Sequence, residues 1–206
     1  MNTKAFTLIE LLIVVAIIAI LAAIAVPNFL EAQVRAKVSR AKADMRSVAT
    51  AIESYAVDAN AYPLAATLDD PSRFTMFETG AEVIESLVPY LVTTPIAYIS
   101  ALPRDPFPVK AENGEGADPN QTFHYLDRRT TQVRNEPDIL DRYHEAVYGR
   151  RNPTSAWWMF TVGPDLDHDE DLSGSEPGRA AALYDPTNGT VSSGDIFYFQ
   201  GTGFGK

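Results

Sequence analysis

Acidic side chains are concentrated between residues 165 and 195 of this 206-residue chain. The stretch holds eight acidic residues against one basic residue, Arg179, so its local charge is −7. Carboxylates this close repel one another unless a cation lies between them. Because carboxylate oxygens are hard ligands and the chain has no cysteine, Ca²⁺ is favoured over zinc or copper. We predict that at least four of six aspartates bind one Ca²⁺: Asp165, Asp167, Asp169, Asp171, Asp185 and Asp195.

The spacing of these side chains resembles an EF-hand loop only in part. Counted from Asp165, oxygen-bearing side chains fall at the ligand positions of that loop and end on Glu176. Glu170 stands where the loop needs glycine, and Pro177 follows where a helix should begin. An EF-hand is therefore not expected, and the alternative to a calcium loop is a solvated acidic loop.

A catalytic centre is not predicted. The three histidines, His124, His144 and His168, lie in no Ser/His/Asp or metal-ligand motif, so each is expected to be structural or solvated. The chain also lacks a phosphate-binding loop and a nucleophile elbow. We therefore expect a protein that is not an enzyme.

The overall charge argues against nucleic acid as a partner. The formal net charge is −10. The six arginines between residues 128 and 151 are interleaved with five acidic residues, which predicts a solvated surface insertion over residues 127–156. A net negative chain with balanced local charges is not expected to bind polyanions.

The amino terminus is long and apolar enough to cross a membrane. Of the 21 residues from Phe6 to Val26, only Thr7 and Glu10 are not apolar. At about 1.5 Å per residue these residues span roughly 32 Å, close to the ~30 Å of a hydrocarbon core. A cleaved signal peptide is the alternative, since Lys4 precedes the run and Ala23-Ile24-Ala25 resembles a cleavage site. Glu10 argues against a signal peptide. A charge within the bilayer costs about 2.5–3.5 kcal/mol, so a passive apolar segment should not carry one.

Helical periodicity continues beyond the apolar run. Seven apolar positions recur at spacings of three and four: Val34, Val38, Ala41, Met45, Val48, Ile52 and Tyr55. This pattern predicts one long helix whose second half packs on a core. Pro27 predicts a kink or local melting, and Asn60 and Pro63 predict the end of the helix.

The remaining residues predict an α+β head. Residues 61–80 and 112–120 have loop composition, 82–88 could form a short helix, and prolines between 95 and 108 exclude regular structure. Three apolar runs, at 122–126, 157–162 and 195–199, predict a small antiparallel sheet laid on the helix stripe. Within the second run, Trp157 and Trp158 should point to opposite faces, one in the core and one on the surface.

The segment from Phe6 to Val15, FTLIELLIVV, resembles the class III signal of type IV pilins and type II secretion pseudopilins. The resemblance implies that a prepilin peptidase cuts between Ala5 and Phe6, that the new amine of Phe6 is methylated, and that Glu10 guides assembly. Ala5 stands where the family usually has glycine. A buried Glu10 carboxylate could be neutralised by the Phe6 amine of its own chain or a neighbour, which would recover part of the desolvation cost.

Shorter motifs in the head resemble the major pseudopilin of the type II secretion system. These are Leu102–Phe107, Phe160–Asp165 and Gly194–Ile196. In that family a bound calcium ion holds the loop between the late strands in place. The resemblance implies a homo-oligomeric filament, minor pseudopilins, an inner-membrane assembly platform, and a single-pass inner-membrane subunit with its head in the periplasm.

The sequence thus divides into a leader (1–5), a membrane-spanning or filament-core helix (6–26), an amphipathic helix (27–60) and a head (61–206). A filament subunit, most directly a major pseudopilin, ranks first. A type IV pilin serving adhesion, motility or DNA uptake is the alternative, followed by a secreted calcium-binding module.

Overall fold

The fold was analysed in a computed structural model, which describes residues 7–67, 86–108, 121–133, 139–166, 183–187 and 194–205. Three α-helices are present in these ranges: α1 (Leu8–Ala59), α2 (Arg128–Val133) and α3 (Ile139–Tyr148). The strands are β1 (Ala66–Thr67), β2 (Ser86–Leu87), β3 (His124–Asp127), β4 (Trp157–Thr161), β5 (Ile196–Phe199) and β6 (Gly203–Phe204). A short 3₁₀ turn covers Tyr90–Val92.

Helix α1 is one unbroken element of 52 residues. It continues through Pro27, so of the two predicted outcomes, a kink or local melting, local melting is wrong. Asn60 follows the helix in the left-handed conformation, with φ 52°, which a helix C-terminus commonly adopts. The predicted end at Asn60 and Pro63 is thereby confirmed.

The amphipathic half of α1 packs on the head as its periodicity indicated. Five stripe residues are buried, and Val34 and Tyr55 pack partly against the same core. The buried five are Val38, Ala41, Met45, Val48 and Ile52. The apolar face of this half of α1 therefore forms one side of the hydrophobic core.

The sheet is an antiparallel meander with strands in chain order β1 to β6. Strand β4 lies at its centre, where Met159 pairs with Tyr125 of β3 and Tyr198 of β5. The α+β class and the three apolar strands are confirmed. Ser86–Leu87 form strand β2 rather than the end of a helix, because Leu87 pairs with His124 and the Val88 N–H donates to the Phe123 carbonyl. Residues 82–85 of that predicted helix lie outside the described ranges.

Both faces of the sheet are covered, which corrects the expectation for the two tryptophans. Trp157 is 1% exposed and Trp158 is 0% exposed. The Trp157 indole N–H donates to Glu53 of α1, whereas the Trp158 ring lies 4.1 Å from that of Tyr143 in α3. Helices α1 and α3 therefore pack on opposite faces of the central strand.

The described parts of the segment 127–156, residues 127–133 and 139–156, consequently contribute to the core rather than forming a solvated insertion. Leu140, Tyr143 and Val147 of α3 are buried, and α3 supplies the second cover of the sheet. Two ion pairs link charged residues of this segment, Arg128 with Asp141 at 2.9 Å and Arg151 with Glu145 at 2.7 Å. The many charged residues of this segment led to the prediction of a solvated insertion, although Leu140, Tyr143 and Val147 form an apolar helix face.

Candidate functional site

Within the part of the chain that the structure describes, the first half of α1 makes no packing contact with the head. Every side chain from Leu8 to Leu30 is exposed. This half is long and apolar enough to cross a membrane by length and composition, with a mean hydropathy of 3.1 over its most apolar window. An apolar surface this large on a free chain requires lipid or other apolar helices around it.

Glu10 lies at the start of this exposed helix, where it forms a capping box with Thr7. Its Oε2 atom accepts hydrogen bonds from the Thr7 backbone N–H at 2.9 Å and the Thr7 hydroxyl at 2.6 Å. The Glu10 N–H in turn donates to the Thr7 hydroxyl oxygen at 3.3 Å. Oε1 has no hydrogen bond among the described residues, which leaves it available to a further donor. Ala5 and Phe6, the predicted processing residues, lie outside the described ranges.

The structure brings Asp165 beside the backbone that carries Asp195. Asp165 Oδ2 accepts a hydrogen bond from the Gly194 N–H at 3.2 Å. Gly163 allows this approach, because a Cβ there would lie 2.4 Å from the Gly194 carbonyl oxygen and its φ is +77°. These contacts join the two ends of the predicted calcium loop.

Asp185 lies near the same strand end but on an exposed turn. Leu183 forms a parallel bridge with Asp195, and the Tyr184 N–H donates to the Asp195 carbonyl at 3.1 Å. Asp185 accepts hydrogen bonds from the Thr187 hydroxyl and backbone N–H, which lower the pKa of its carboxyl. Asp167, Asp169 and Asp171 lie outside the described residues, and within the described part no three acidic or histidine side chains form a metal-binding group.

Two buried aspartates that sequence reasoning did not single out have structural roles. Asp127 accepts hydrogen bonds from the N–H groups of Ala65, Arg129 and Thr130 at 2.9–3.0 Å, so it caps α2 and holds the chain after α1. Asp105 Oδ1 accepts from the Thr161 hydroxyl at 2.7 Å and the Phe107 N–H at 2.8 Å. Its Oδ2 is buried without a hydrogen bond to any described residue, and this burial raises the pKa of Asp105 to about 7. Position 105 falls in the Pro-Arg-Asp-Pro motif, the one sequence signal that marked it.

The described histidines pack in the core. The His124 ring stacks on Phe160 at 4.6 Å, and His144 contacts the Arg150 carbonyl through Nδ1 at 2.6 Å. His144 also lies 3.2 Å from the Thr202 hydroxyl through Nε2. These contacts give both rings structural roles, as expected, and His168 lies outside the described ranges.

Comparison with known proteins covers the N-terminal part of the chain. The family model "Prokaryotic N-terminal methylation motif" matches residues 1–26. The chain is 52% identical over 61 residues to the type IV major pilin protein PilA of Myxococcus xanthus, which is 30% of this chain and 28% of that protein. It is 51% identical over 61 residues to the type IV wide pilus major component PilA4 of Thermus thermophilus, covering 30% of this chain and 47% of that protein.

A further relative is named for a secretion system. The type II secretion system core protein G of Pseudomonas aeruginosa is 47% identical over 58 residues, which cover 28% of this chain and 41% of that protein. No solved structure matches the chain. The chain thus spans less than half the length of each of these relatives, all named as filament or secretion components rather than enzymes, in agreement with the prediction of a non-enzyme. The N-terminal third of the chain is therefore similar to the corresponding part of type IV pilins and of core protein G, and residues 1–26 match the N-terminal methylation motif.

Proposed function

We propose that this protein is the structural subunit of a pilus-like filament. The observation that carries the proposal is the division of α1 into an exposed apolar half and a half packed in the head core. The first half would reside in the inner membrane before assembly and in the filament interior afterwards, with the head on the periplasmic side. In both settings its apolar surface is removed from water.

Assembly would begin with removal of residues 1–5 by a prepilin peptidase and methylation of the Phe6 amine. The new amine would lie four residues from Glu10, near the carboxylate oxygen that Thr7 does not use. A Glu10–amine pair between neighbouring copies would offset the cost of a carboxylate in an apolar interior and set the register of the helices.

We infer that the filament is the pseudopilus of a type II secretion system, with this chain as its major pseudopilin. The similarity to core protein G supports this assignment. The lack of cysteine also supports it, because the head cannot use a disulfide where the major pseudopilin family uses a calcium ion. Minor pseudopilins and an inner-membrane assembly platform would be its partners. A type IV pilus for adhesion, motility or DNA uptake is equally supported by the similarity to pilins.

We propose further that Ca²⁺ binds at the acidic end of the sheet. Asp165 beside Gly194 and Asp195 fits the start and end of a loop that folds around a cation. Asp167, Asp169, Asp171 and Asp185 lie between these two ends in the sequence. Their carboxylates are therefore the candidate further ligands. The ion would offset the −7 charge of this segment.

The filament proposal is tested by replacing Glu10 in the full-length chain. Glu10→Gln retains an acceptor for the Thr7 capping contacts but removes the charge, whereas Glu10→Ala removes both. We expect both variants to insert in the membrane and to yield few sheared filaments. Wild-type filament yield from Glu10→Gln would contradict the charge-pair mechanism. A secretion assay and a twitching or DNA-uptake assay on the deletion strain would then distinguish pseudopilus from pilus.

A further inference from the structure

A recess lies between α1 and the sheet, beside Glu53. It has a volume of about 440 Å³, and its lining includes Thr50, Glu53, Trp157, Tyr198 and Gln200. The Trp157 and Tyr198 rings are stacked, with centroids 5.8 Å apart and an interplanar angle of 13°. A carboxylate beside aromatic rings provides both the charge and the ring faces that attract an ammonium or guanidinium group.

Among the described residues, the Glu53 carboxylate accepts hydrogen bonds from neutral donors only. Its Oε1 accepts from the Trp157 indole N–H at 3.1 Å and its Oε2 from the Tyr62 hydroxyl at 3.1 Å. Burial, together with the Glu53 charge, raises the pKa of Tyr62 to about 12, so this donor stays neutral at physiological pH. Each carboxylate oxygen can accept a second hydrogen bond.

No described lysine or arginine forms an ion pair with Glu53. Arg46 lies on the same flank of α1, about 10 Å earlier along the axis. Its guanidinium lies 4.9 Å from the centroid of the Phe204 ring. The carboxylate therefore faces the recess without a counter-ion from the described part of its own chain.

We propose that the recess beside Glu53 receives the Lys37 side chain of a second copy of this chain. The inference rests on the proposed filament. Lys37 is exposed and, alone among the cations of α1, forms no ion pair or aromatic-ring contact with a described residue. The other cations of α1 have such partners. Arg35 pairs with Glu31 and Arg40 with Asp44, whereas Lys42 and Arg46 lie over the Phe204 ring.

The positions of the two groups fit a contact between parallel copies. Sixteen residues separate Lys37 from Glu53, which is about 24 Å along the helix axis and roughly 160° around it. One chain therefore cannot pair its own Lys37 with its own Glu53. Two different surfaces on opposite flanks form a head-to-tail contact. Such contacts generate open helical assemblies when the rotation between copies does not close into a ring, as in a filament.

Charge variants of the full-length chain test this contact through the yield of sheared filaments. Thr50→Lys places an ammonium three residues from Glu53 on the recess wall, while Glu53→Gln and Lys37→Gln each remove one charge. Ser47→Lys is the matched control, because Ser47 and Thr50 are both exposed and both donate their hydroxyl to the carbonyl four residues earlier. We expect at least a tenfold loss of filaments from the first three variants and less than a twofold change from the control.

Cross-linking locates the contact directly, because the chain contains no cysteine. Filaments of the double variant Lys37→Cys/Thr50→Cys, treated with a short bismaleimide, should give a ladder of covalent oligomers. The pair Lys37→Cys/Ser47→Cys should remain largely monomeric, since Ser47 lies outside the recess.

The outcomes separate this contact from the filament itself. Wild-type filament yield from Thr50→Lys, or no ladder from the first cysteine pair, would overturn the contact while leaving the filament proposal intact. If Glu53→Gln lowers the melting temperature of the chain in detergent, Thr50→Lys decides, because it leaves the hydrogen bonds of Glu53 in place. An absence of filaments from the wild-type chain would overturn both proposals.

Discussion

Replacing Asp105 by asparagine should stabilise the head at alkaline pH. The carboxyl is 6% exposed, Oδ1 holds the Thr161 hydroxyl and the Phe107 N–H, and Oδ2 is buried without a described hydrogen bond. Asparagine keeps an acceptor for both donors and has nearly the same shape. The change therefore removes the buried charge while retaining the described hydrogen bonds.

The size of the effect follows from the pKa of Asp105. Burial raises this pKa from its ordinary value of 3.8 to about 7. One pKa unit corresponds to about 1.4 kcal/mol, so ionisation of the folded head above pH 7 costs up to ~4 kcal/mol. Because the folded pKa is the higher one, the full stability is present below about pH 4 and is lost as pH rises through about 7.

The assay is thermal unfolding of a fragment that begins at Glu31, followed by circular dichroism from pH 4 to pH 8. Every side chain from Leu8 to Leu30 is exposed, so this fragment retains the described core. At about 2–4 °C per kcal/mol, Asp105→Asn should melt several degrees above the wild type at pH 8 and within about 2 °C of it at pH 4.

A control variant separates charge from hydrogen bonding. Asp105→Ala loses the contacts to Thr161 and Phe107 as well, so at pH 4 it should melt below both other proteins. A melting-temperature difference between Asp105→Asn and the wild type that is the same at pH 4 and pH 8 would refute the buried ionisation.

Three further predictions concern the second cover of the sheet, the acidic loop and processing. Tyr143→Ala should destabilise the fragment by about 3–5 kcal/mol in urea unfolding, because its buried ring packs on Trp158, whereas the exposed Arg129→Ala should change stability by less than about 0.5 kcal/mol. An equal effect of both would remove α3 from the core. With calcium at a hundredfold excess over Kd, the free energy of unfolding of the fragment should be about 2.7 kcal/mol higher than in chelator, and magnesium should raise it little. Equal melting temperatures in calcium and chelator, with no bound metal by elemental analysis, would indicate a solvated loop instead. Ala5→Asp should leave an uncleaved membrane precursor without filaments, as followed by immunoblotting of membrane and sheared fractions, and filaments built from the precursor would contradict the order of events.

The elements with a strong repeating pattern could be predicted from the sequence. The stripe of α1 was readable because seven apolar positions keep a helical period, and Asn60 marks a common helix end. Strands β3, β4 and β5 were readable because each is a run of aromatic and aliphatic residues between polar segments.

The second cover of the sheet was missed for a physical reason. Leu140, Tyr143 and Val147 recur at spacings of three and four, but charged residues between them dominate the composition of the segment. With that cover unrecognised, Trp157 and Trp158 were expected to differ in exposure. The two-residue strands β1 and β2 are defined by pairing with distant residues, which local sequence does not encode.

The environments of the candidate site residues depend on packing, which sequence spacing does not encode. Glu10 was identified from a charge within an apolar run, but its capping contacts with Thr7 became visible only in the structure. Asp105 and Glu53 are single acidic residues whose importance follows from burial and from neighbours far along the chain, such as Thr161 and Trp157. Long-range contacts of this kind decide whether a carboxylate is solvated or buried.

The central claim is that this chain assembles into a filament after cleavage before Phe6. Mass spectrometry of the N-terminal peptide from sheared surface filaments tests it most directly. The account predicts filaments built from this chain, with a first residue of Phe6 and a methylated amine. A mature chain that begins at Val26, found as a soluble protein outside the membrane, would contradict the account and indicate a secreted module instead.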